Sequence, residues 1–215
     1  MTADIVLREK IIAAGLLMCG KKLVQGTGGN ISARTKSGFL ITPSGMDYAD
    51  LSPEDLVEMD LRGKVLNGAR KPSIENRMHL AVFEARADVN AVIHAHSICA
   101  TAVAAARRTL KPITDNQVAV FGGAVPVAEY APIGSDALAK NAVLALKNGA
   151  AVLLANHGSL CVGHTLDEAL LRCEMLEVFS KIYILAKTVG GGAALTDEQV
   201  RCETEDLRKR YGQCR

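Results

Sequence analysis

The chain has 215 residues, 49% of them hydrophobic and 22% charged, which is typical of a single globular domain with a sizeable core. Its 25 basic and 23 acidic residues leave a formal net charge of +2, and the basic residues are scattered rather than interleaved with aromatic ones. This pattern argues against nucleic acid as a partner. The six cysteines form no CxxC pair and are typical of reduced thiols in a cytoplasmic protein.

The first apolar run, residues 11–19, resembles a signal peptide but is more typical of a helix. Glu9 lies in its charged flank, Lys21 and Lys22 follow it directly, and no small-x-small cleavage site is present. No other stretch is long and apolar enough to span a bilayer, so we expect no membrane association. The spacing of the apolar residues predicts a helix over residues 5–23, ended by the glycines of GTGGN.

The remaining chain alternates between strand and helix patterns. ISART and GFLITPS are predicted as strands, SPEDLVEMD as a short helix with Ser52 as N-cap, and RGK as a hairpin turn. Further helices are predicted at 74–86, 98–108, 136–148, 165–189 and 196–211, and further strands at VNAVIHAH, VPVAEY and AAVLLANH. PITDNQVAVFGG is predicted mainly as loop, and Thr165 with Glu168 as a capping box. The alternation indicates one α/β domain over residues 1–215.

Three histidines stand at the ends of predicted strands. AVIHAHS contains His94 and His96, and LLANHGS contains His157. Alternate side chains of a strand share one face, so the HxH pair can reach one ion, although such a pair can also be hydrogen-bonded in a core. The third histidine, at the end of another buried strand, favours the metal interpretation. Three nitrogen ligands leave a position open for a substrate oxygen, which indicates metal-assisted chemistry on a carbonyl or a water.

Glu75 follows a proline-led turn in KPSIENRMH, at the start of a predicted helix. Its carboxylate can be a fourth metal ligand or a general base. Alternatively, it can be there only because a negative charge stabilises the first turn of a helix. His79 lies one helical turn later, where it can be a ligand or can support the ligands.

Three turns carry short polar residues that can bind an anion. They are GTGGNIS at 26–32, TPSG at 42–45 and PS at 72–73. Glycine amides and serine hydroxyls can converge on a phosphate without steric bulk, yet each segment is also an ordinary turn sequence.

Taken together and in this order, GTGGNIS, ITPSGMDYADL, KPSIENRMH, AVIHAHS and ANHGS resemble the class II aldolase/adducin family over essentially the whole chain. The resemblance is greatest to sugar-phosphate aldolases of the L-fuculose-1-phosphate type. It implies an α/β/α sandwich with a central, largely antiparallel sheet, and a homotetramer with sites at subunit interfaces. It also implies Zn²⁺, with Mn²⁺ or Co²⁺ as substitutes, held by His94, His96, His157 and Glu75.

The same resemblance implies the reaction. Zinc acts as a Lewis acid in the retro-aldol cleavage of a ketose 1-phosphate, such as fuculose, 5-deoxyribulose or methylthioribulose 1-phosphate, to dihydroxyacetone phosphate and an aldehyde. Glu75, freed from the metal, transfers the proton at the enediolate carbon. The residues implied in binding the phosphate are Thr27, Gly28, Asn30, Ser44, Gly45 and Ser73.

The chain departs from the family pattern in two places. Ile74 stands where these aldolases often have a second serine, and PITDNQ offers Asp115 or Asn116 where the fuculose type has a tyrosine. Asp115 and Tyr211, from the C-terminal RYGQ, are therefore the candidates for proton transfer at the aldehyde oxygen. An aspartate there is reminiscent of the family's 4-epimerases, but these generally carry aspartate at the position of Glu75, which favours the aldolase. The family resemblance is also compatible with a dehydratase, a decarboxylase or a non-catalytic adducin-like binding domain.

Overall fold

A computed structural model describes residues 3–210, with side chains from residue 4 to residue 207. One sheet runs through the centre of this part of the chain. Its strands are β1 (Asn30–Arg34), β2 (Phe39–Ile41), β3 (Val57–Met59), β4 (Val65–Asn67), β5 (Ala91–Ala95), β6 (Val127–Ala128), β7 (Ala151–Leu154) and β8 (Gly158–Gly163). They lie in the order β4-β3-β2-β1-β5-β8-β7-β6, and every neighbouring pair except β6 and β7 is antiparallel.

Helices cover both faces of the sheet. They are α1 (Ala3–Gly20), α2 (Asn76–Ala85), α3 (Ile98–Ala105), α4 (Asp115–Phe121), α5 (Asp136–Leu146), α6 (Leu166–Thr188) and α7 (Asp197–Arg210). Residues of α1, α3 and α6 pack into one apolar core, and residues of α2 and α5 pack into a second core on the opposite face. The predicted α/β/α sandwich with a largely antiparallel sheet is therefore confirmed. None of the described helices has both the length and the apolar character needed to cross a membrane.

The central strands are buried on both faces, and their side chains alternate between the two cores. In β5, Ile93 belongs to the core of α1, α3 and α6, whereas Val92 belongs to the core of α2 and α5. Burial of each such side chain stabilises the fold by roughly 1.5–3 kcal/mol. The same alternation directs His94 towards the face that α2 covers, where its cross-strand partner on β1 is Asn30.

The prediction of a helix in SPEDLVEMD is wrong. Only Pro53–Asp55 forms a single 3-10 turn, and Val57–Met59 is a strand. The Asp55 carboxylate accepts hydrogen bonds from the amide and the hydroxyl of Ser52, which closes this one turn. After this turn, buried Val57 and Met59 flank the half-buried Glu58. This alternation with a period of two residues is typical of a strand, and the strand lies next to the edge strand β4.

Three further elements differ from the sequence predictions. The segment predicted mainly as loop contains α4, for which Thr114 accepts an N-cap hydrogen bond and Gly122 provides a left-handed C-cap. The strand β8 was not predicted, because glycines stand at both of its ends. The capping box of α6 is only half formed: Thr165 accepts from the Glu168 amide, but the Glu168 carboxylate accepts from the amide of His164.

Candidate metal centre

Three separate segments bring the predicted ligands together. Glu75 directly precedes α2, His94 and His96 lie at the end of β5, and His157 lies in the turn between β7 and β8. One nitrogen or oxygen from each of these four side chains lies within 4.8 Å of the others. The Glu75 carboxylate is central: Oε2 is 3.0 Å from His94 Nε2, and Oε1 is 3.5 Å from His157 Nε2.

Glycines allow the backbone to approach the histidines closely. A Cβ atom at Gly158 would lie 2.4 Å from the carbonyl oxygen of Ala95 and 2.8 Å from a ring carbon of His96. A Cβ atom at Gly28 would lie 3.0 Å from His96 Nδ1. The glycine of NHG therefore lets the turn that carries His157 close against the end of β5.

The turn itself has a left-handed residue at Asn156, with φ of 58°. Asparagine tolerates this conformation better than most residues. The guanidinium of Arg107, at the end of α3, donates to Asn156 Oδ1 over 3.1 Å. Arg107 thereby holds the turn that presents His157, a role for which the sequence offered no signal.

The donor set fits a metal ion. His94 Nδ1 donates to the carbonyl oxygen of Ser159 over 2.9 Å, which orients the ring so that Nε2 faces the Glu75 carboxylate, 3.0 Å from Oε2. In addition, Nε2 of each of the three histidines and Oε1 of Glu75 are buried with no hydrogen-bond partner among the described residues. Imidazole nitrogens with one carboxylate are a common ligand set for divalent transition metals.

The protonation states also suit a metal. Burial raises the pKa of the Glu75 carboxyl, but the adjacent His94 ring and the hydrogen bond from Asn30 outweigh it and lower that pKa to about 2. Burial together with the neighbouring histidines lowers the pKa values of His96 and His157 to about 4. Near neutral pH the carboxylate is therefore charged and the two imidazoles are neutral, as metal ligands must be.

Hydrogen bonds join two of the turns predicted to bind phosphate to the start of β1. The amide of Ser73 donates to the carbonyl oxygen of Thr42 over 3.1 Å, and the amide of Ile31 donates to the Thr42 hydroxyl over 3.2 Å. These bonds join the turn at 71–73, the turn at 42–45 and the start of β1. Glu75 borders the same region, because its carboxylate accepts a hydrogen bond from the Asn30 side chain over 3.0 Å.

Within this region the predicted phosphate ligands differ in exposure. The side chains of Thr27 and Ser44 are exposed beside Gly45, whereas Ser73 is buried and its hydroxyl accepts from the amide of Glu75. The amides of Gly28 and Ser44 already donate to backbone carbonyl oxygens of Gln25 and Lys71. An anion here would therefore meet the hydroxyl groups rather than these two amides.

Of the two predicted proton-transfer residues, the structure describes only Asp115, which is not among the clustered donors. Asp115 is exposed at the first position of α4, where its carboxylate accepts from the amide of Asn116 over 2.7 Å. Tyr211 lies outside the described residues.

Two buried residues support Glu75. His79, whose spacing from Glu75 allows either a ligand or a supporting role, is not one of the clustered donors. Its ring is fully buried, with Nδ1 2.6 Å from Ser32 Oγ and Nε2 2.5 Å from Asn30 Oδ1. The asparagine is predicted to bind phosphate, but its amide nitrogen faces Glu75. The i, i+2 spacing of Asn30 and Ser32 on one strand indicates from the sequence that their side chains project from the same face.

Comparisons with known proteins identify the family of this chain. Residues 9–184 match the family model described as "Class II Aldolase and Adducin N-terminal domain". A 5-deoxy-D-ribulose 1-phosphate aldolase of Bacillus thuringiensis serovar kurstaki is 37% identical over 206 residues, 95% of this chain and 94% of the relative. A 5-methylthioribulose-1-phosphate/5-deoxyribulose-1-phosphate aldolase of Rhodospirillum rubrum is 38% identical over 180 residues, 83% of this chain and 80% of the relative.

A solved structure has the same fold. The structure of an L-fuculose 1-phosphate aldolase superposes with a TM-score of 0.91 and 39% identity, covering 97% of this chain and 98% of that one. The family model, the curated relatives and the fold therefore lead to one conclusion, which agrees with the four clustered donors. The chain belongs to the class II aldolase and adducin family.

Proposed function

We propose that this chain is a zinc-dependent aldolase that cleaves a ketose 1-phosphate to dihydroxyacetone phosphate and an aldehyde. The substrate is of the fuculose, 5-deoxyribulose or methylthioribulose 1-phosphate type, as the names of the relatives suggest. The observation that carries the proposal is the cluster of Glu75 with three histidines beside the polar turns.

In this proposal His94, His96, His157 and Glu75 hold Zn²⁺, and Mn²⁺ or Co²⁺ can replace it. The bound ion supplies Lewis-acid polarisation of the substrate ketone. The hydroxyl groups of Thr27, Ser44 and Ser73, with Gly28, Asn30 and Gly45 around them, bind the phosphate and orient the substrate.

Proton transfer completes the reaction. Carbon–carbon cleavage leaves the electron pair of the broken bond on the carbon next to the ketone, while the substrate hydroxyl that becomes the aldehyde oxygen gives up its proton. Glu75, released from the ion and carrying a proton, would deliver that proton to the carbon from a position that is 3% exposed and therefore shielded from bulk water. We assign acceptance of the hydroxyl proton to Asp115, with Tyr211 as the second candidate.

We further propose that residues 1–215 act as one domain in a cytoplasmic homotetramer with sites at subunit interfaces. Large apolar side chains support this assembly: Leu16 and Leu17 are about half exposed on α1, and Ile98, two residues after His96, is 67% exposed. Such groups are often covered by a partner subunit. Light scattering of the purified protein measures the number of subunits, and a monomer would contradict the assembly.

A substrate panel tests the reaction. Metal-free protein is incubated with each of the three ketose 1-phosphates, with and without Zn²⁺ or Mn²⁺, and dihydroxyacetone phosphate is measured. We expect release from at least one compound, only with metal. No release from any of them would contradict the proposal.

Analysis of the products distinguishes an aldolase from the other functions that the family resemblance allows. A 4-epimerase, a dehydratase or a decarboxylase of the same family would consume a sugar phosphate without forming dihydroxyacetone phosphate. A non-catalytic, adducin-like binding domain would give no product with any sugar phosphate. The four convergent donors argue against that domain, because a scaffold has no need of them.

A further inference from the structure

His79 makes two polar contacts although its neighbours along α2 are apolar. Its neighbours along α2, Met78 and Val82, are buried in the core that α2 shares with α5. Nevertheless the His79 ring contacts Ser32 Oγ and Asn30 Oδ1, and Asn30 in turn donates to Glu75. A continuous chain of hydrogen bonds thus runs from Ser32, inside the domain, to the carboxylate at the candidate metal centre.

The sheet register explains this placement. Asn30 and Ser32 project from the same face of β1, and Asn30 lies directly opposite His94 on β5. All of the side chains in the hydrogen-bonded chain are at most 5% exposed. An unpaired polar group at such a depth costs roughly 1–3 kcal/mol, so the bonding pattern strongly constrains which atom donates to which.

The direction of every bond follows from the Glu75 carboxylate, which can only accept. Asn30 must therefore turn its NH₂ group towards Glu75 Oε2 and its oxygen towards His79. Because that oxygen accepts, His79 must carry its hydrogen on Nε2. His79 Nδ1 is then a bare acceptor for the hydroxyl group of Ser32.

We propose that His79 is a positioning residue that acts through Asn30 to fix the orientation of Glu75. The N–H of His79 Nε2 holds the Asn30 amide in the one orientation that donates to Oε2. Oε1 is buried 3.5 Å from His157 Nε2, has no hydrogen-bond partner in the described part of the chain, and is thereby left for the ion. The inference rests on the proposed function only in taking Glu75 as a metal ligand.

Loss of the His79 donor would release the amide. The last side-chain torsion of asparagine has a broad, roughly two-fold preference, so rotation by half a turn has little intrinsic cost. The rotated amide would place its oxygen against Glu75 Oε2. Repulsion would then move the carboxylate away from the position at which it lies between His94 and His157.

The hydrogen positions can be measured in the metal-free protein. The chain has five histidines, so selective ¹⁵N labelling gives few ring signals, and the loss of one set in a His79 variant assigns it. We expect the neutral tautomer with hydrogen on Nε2 and a bare Nδ1. A hydrogen on Nδ1 would overturn the proposal, whether or not the protein has aldolase activity.

Metal affinity tests the effect on Glu75. In His79→Gln the side-chain amide can still donate from the position of Nε2, whereas His79→Leu has similar size and no donor. We expect H79L to weaken Zn²⁺ binding about 10–100-fold in calorimetric titration, and H79Q to restore most of that loss. Unchanged affinity in H79L, or an equal loss in both variants, would overturn the proposal.

Two further variants complete the experiment. His164 is an exposed histidine whose ring contacts the carbonyl oxygen of Asp88, and H164Q should bind Zn²⁺ like the unaltered protein. If H79L does not fold, Ser32→Ala removes only the group that donates to Nδ1. Asn30 Oδ1 still accepts from Nε2, so the hydrogen should stay on Nε2 and the metal affinity should be close to that of the unaltered protein. A hydrogen on Nδ1 of His79 in S32A would contradict the proposed chain. Because no substrate is used, these results are independent of the aldolase assay.

Discussion

Asn30 and His94, cross-strand partners on β1 and β5, each place a nitrogen 3.0 Å from the same oxygen, Oε2 of Glu75. The two contacts differ chemically. The Asn30 amide donates a hydrogen bond to Oε2, whereas His94 Nε2 has no hydrogen-bond partner among the described residues. We therefore expect the metal ion on the histidine side of the carboxylate.

Metal removal should abolish activity and lower thermal stability. An ion that binds only the folded state at 100 times its dissociation constant adds about 2.7 kcal/mol to the free energy of unfolding. For a domain of this size we expect the melting temperature to fall by roughly 5–11 °C on chelation and to recover on addition of Zn²⁺. Differential scanning calorimetry measures the shift, and Mg²⁺, which binds nitrogen ligands poorly, is the control. Equal melting temperatures with and without Zn²⁺ would contradict a metal centre.

Glu75→Gln should impair both metal binding and catalysis. The amide keeps the shape of the side chain but removes the negative charge and the capacity to exchange a proton. We expect kcat to fall by roughly 10²–10⁴ at saturating Zn²⁺. The matched control is Glu84→Gln, since Glu84 is exposed further along α2 and should tolerate the change. Near-normal kcat in E75Q would exclude this residue as the acid or base.

Gly158→Ala should damage the site through steric overlap. The new methyl group would lie 2.4 Å from the Ala95 carbonyl oxygen and 2.8 Å from the ring of His96, so β5 and the His157 turn must separate. We expect a loss of about 1–3 kcal/mol in the free energy of unfolding, together with weaker metal binding. Gly20→Ala is the control, because a Cβ atom at Gly20 meets nothing within 4 Å. If G158A matches G20A in both measurements, the proposed close approach is wrong.

The metal-free protein should lose stability as the pH falls below about 6.5. Burial lowers the pKa of His79 from 6.5 to about 3, and those of His96 and His157 are lowered to about 4. Between these values and 6.5 the folded state holds fewer protons than the unfolded state, so acidification favours unfolding. His79→Leu should make this decline shallower by up to about 1.4 kcal/mol per pH unit. Urea unfolding across this range measures the slopes, and equal slopes in both proteins would contradict a neutral buried His79.

Ser44→Ala should weaken binding of phosphorylated substrates selectively. Loss of one hydrogen bond to a charged group costs about 1.5–3 kcal/mol, which corresponds to a rise in KM of roughly ten-fold or more. The effect on kcat should be small, because the exposed hydroxyl is not one of the four metal donors. The corresponding non-phosphorylated ketose is the control substrate, and its KM should not respond to S44A. A similar rise for both substrates would argue against phosphate binding at this turn.

Local patterns predicted those parts of the molecule whose cause is local. The HxH spacing of His94 and His96, the glycine loop before β1 and the Thr165 N-cap each depend on neighbouring residues, and each has the expected conformation. The resemblance to the family predicted the gathering of Glu75 with the histidines, which periodicity alone could not do, since that gathering depends on how distant strands pair.

The features that sequence did not predict arise from tertiary contacts. The sequence did not predict β8, because glycines stand at both of its ends. This strand forms through its pairing with β5 and β7. Nor did any local signal indicate that the Asn30 amide would face Glu75 and not only a phosphate. That contact exists because α2 covers the face of β1 from which Asn30 and Ser32 project.

The metal donors come from three segments that are distant along the chain, and this separation determines when the protein can bind its metal. Glu75, the β5 histidines and His157 come together only after β1, β5 and β8 have paired across the middle of the sheet. An ion held by all of them acts as a removable cross-link that closes a long loop of the chain, and it cannot bind tightly to a partly assembled sheet. Uptake of metal should therefore report the completion of folding, and release of metal should precede the separation of the central strands.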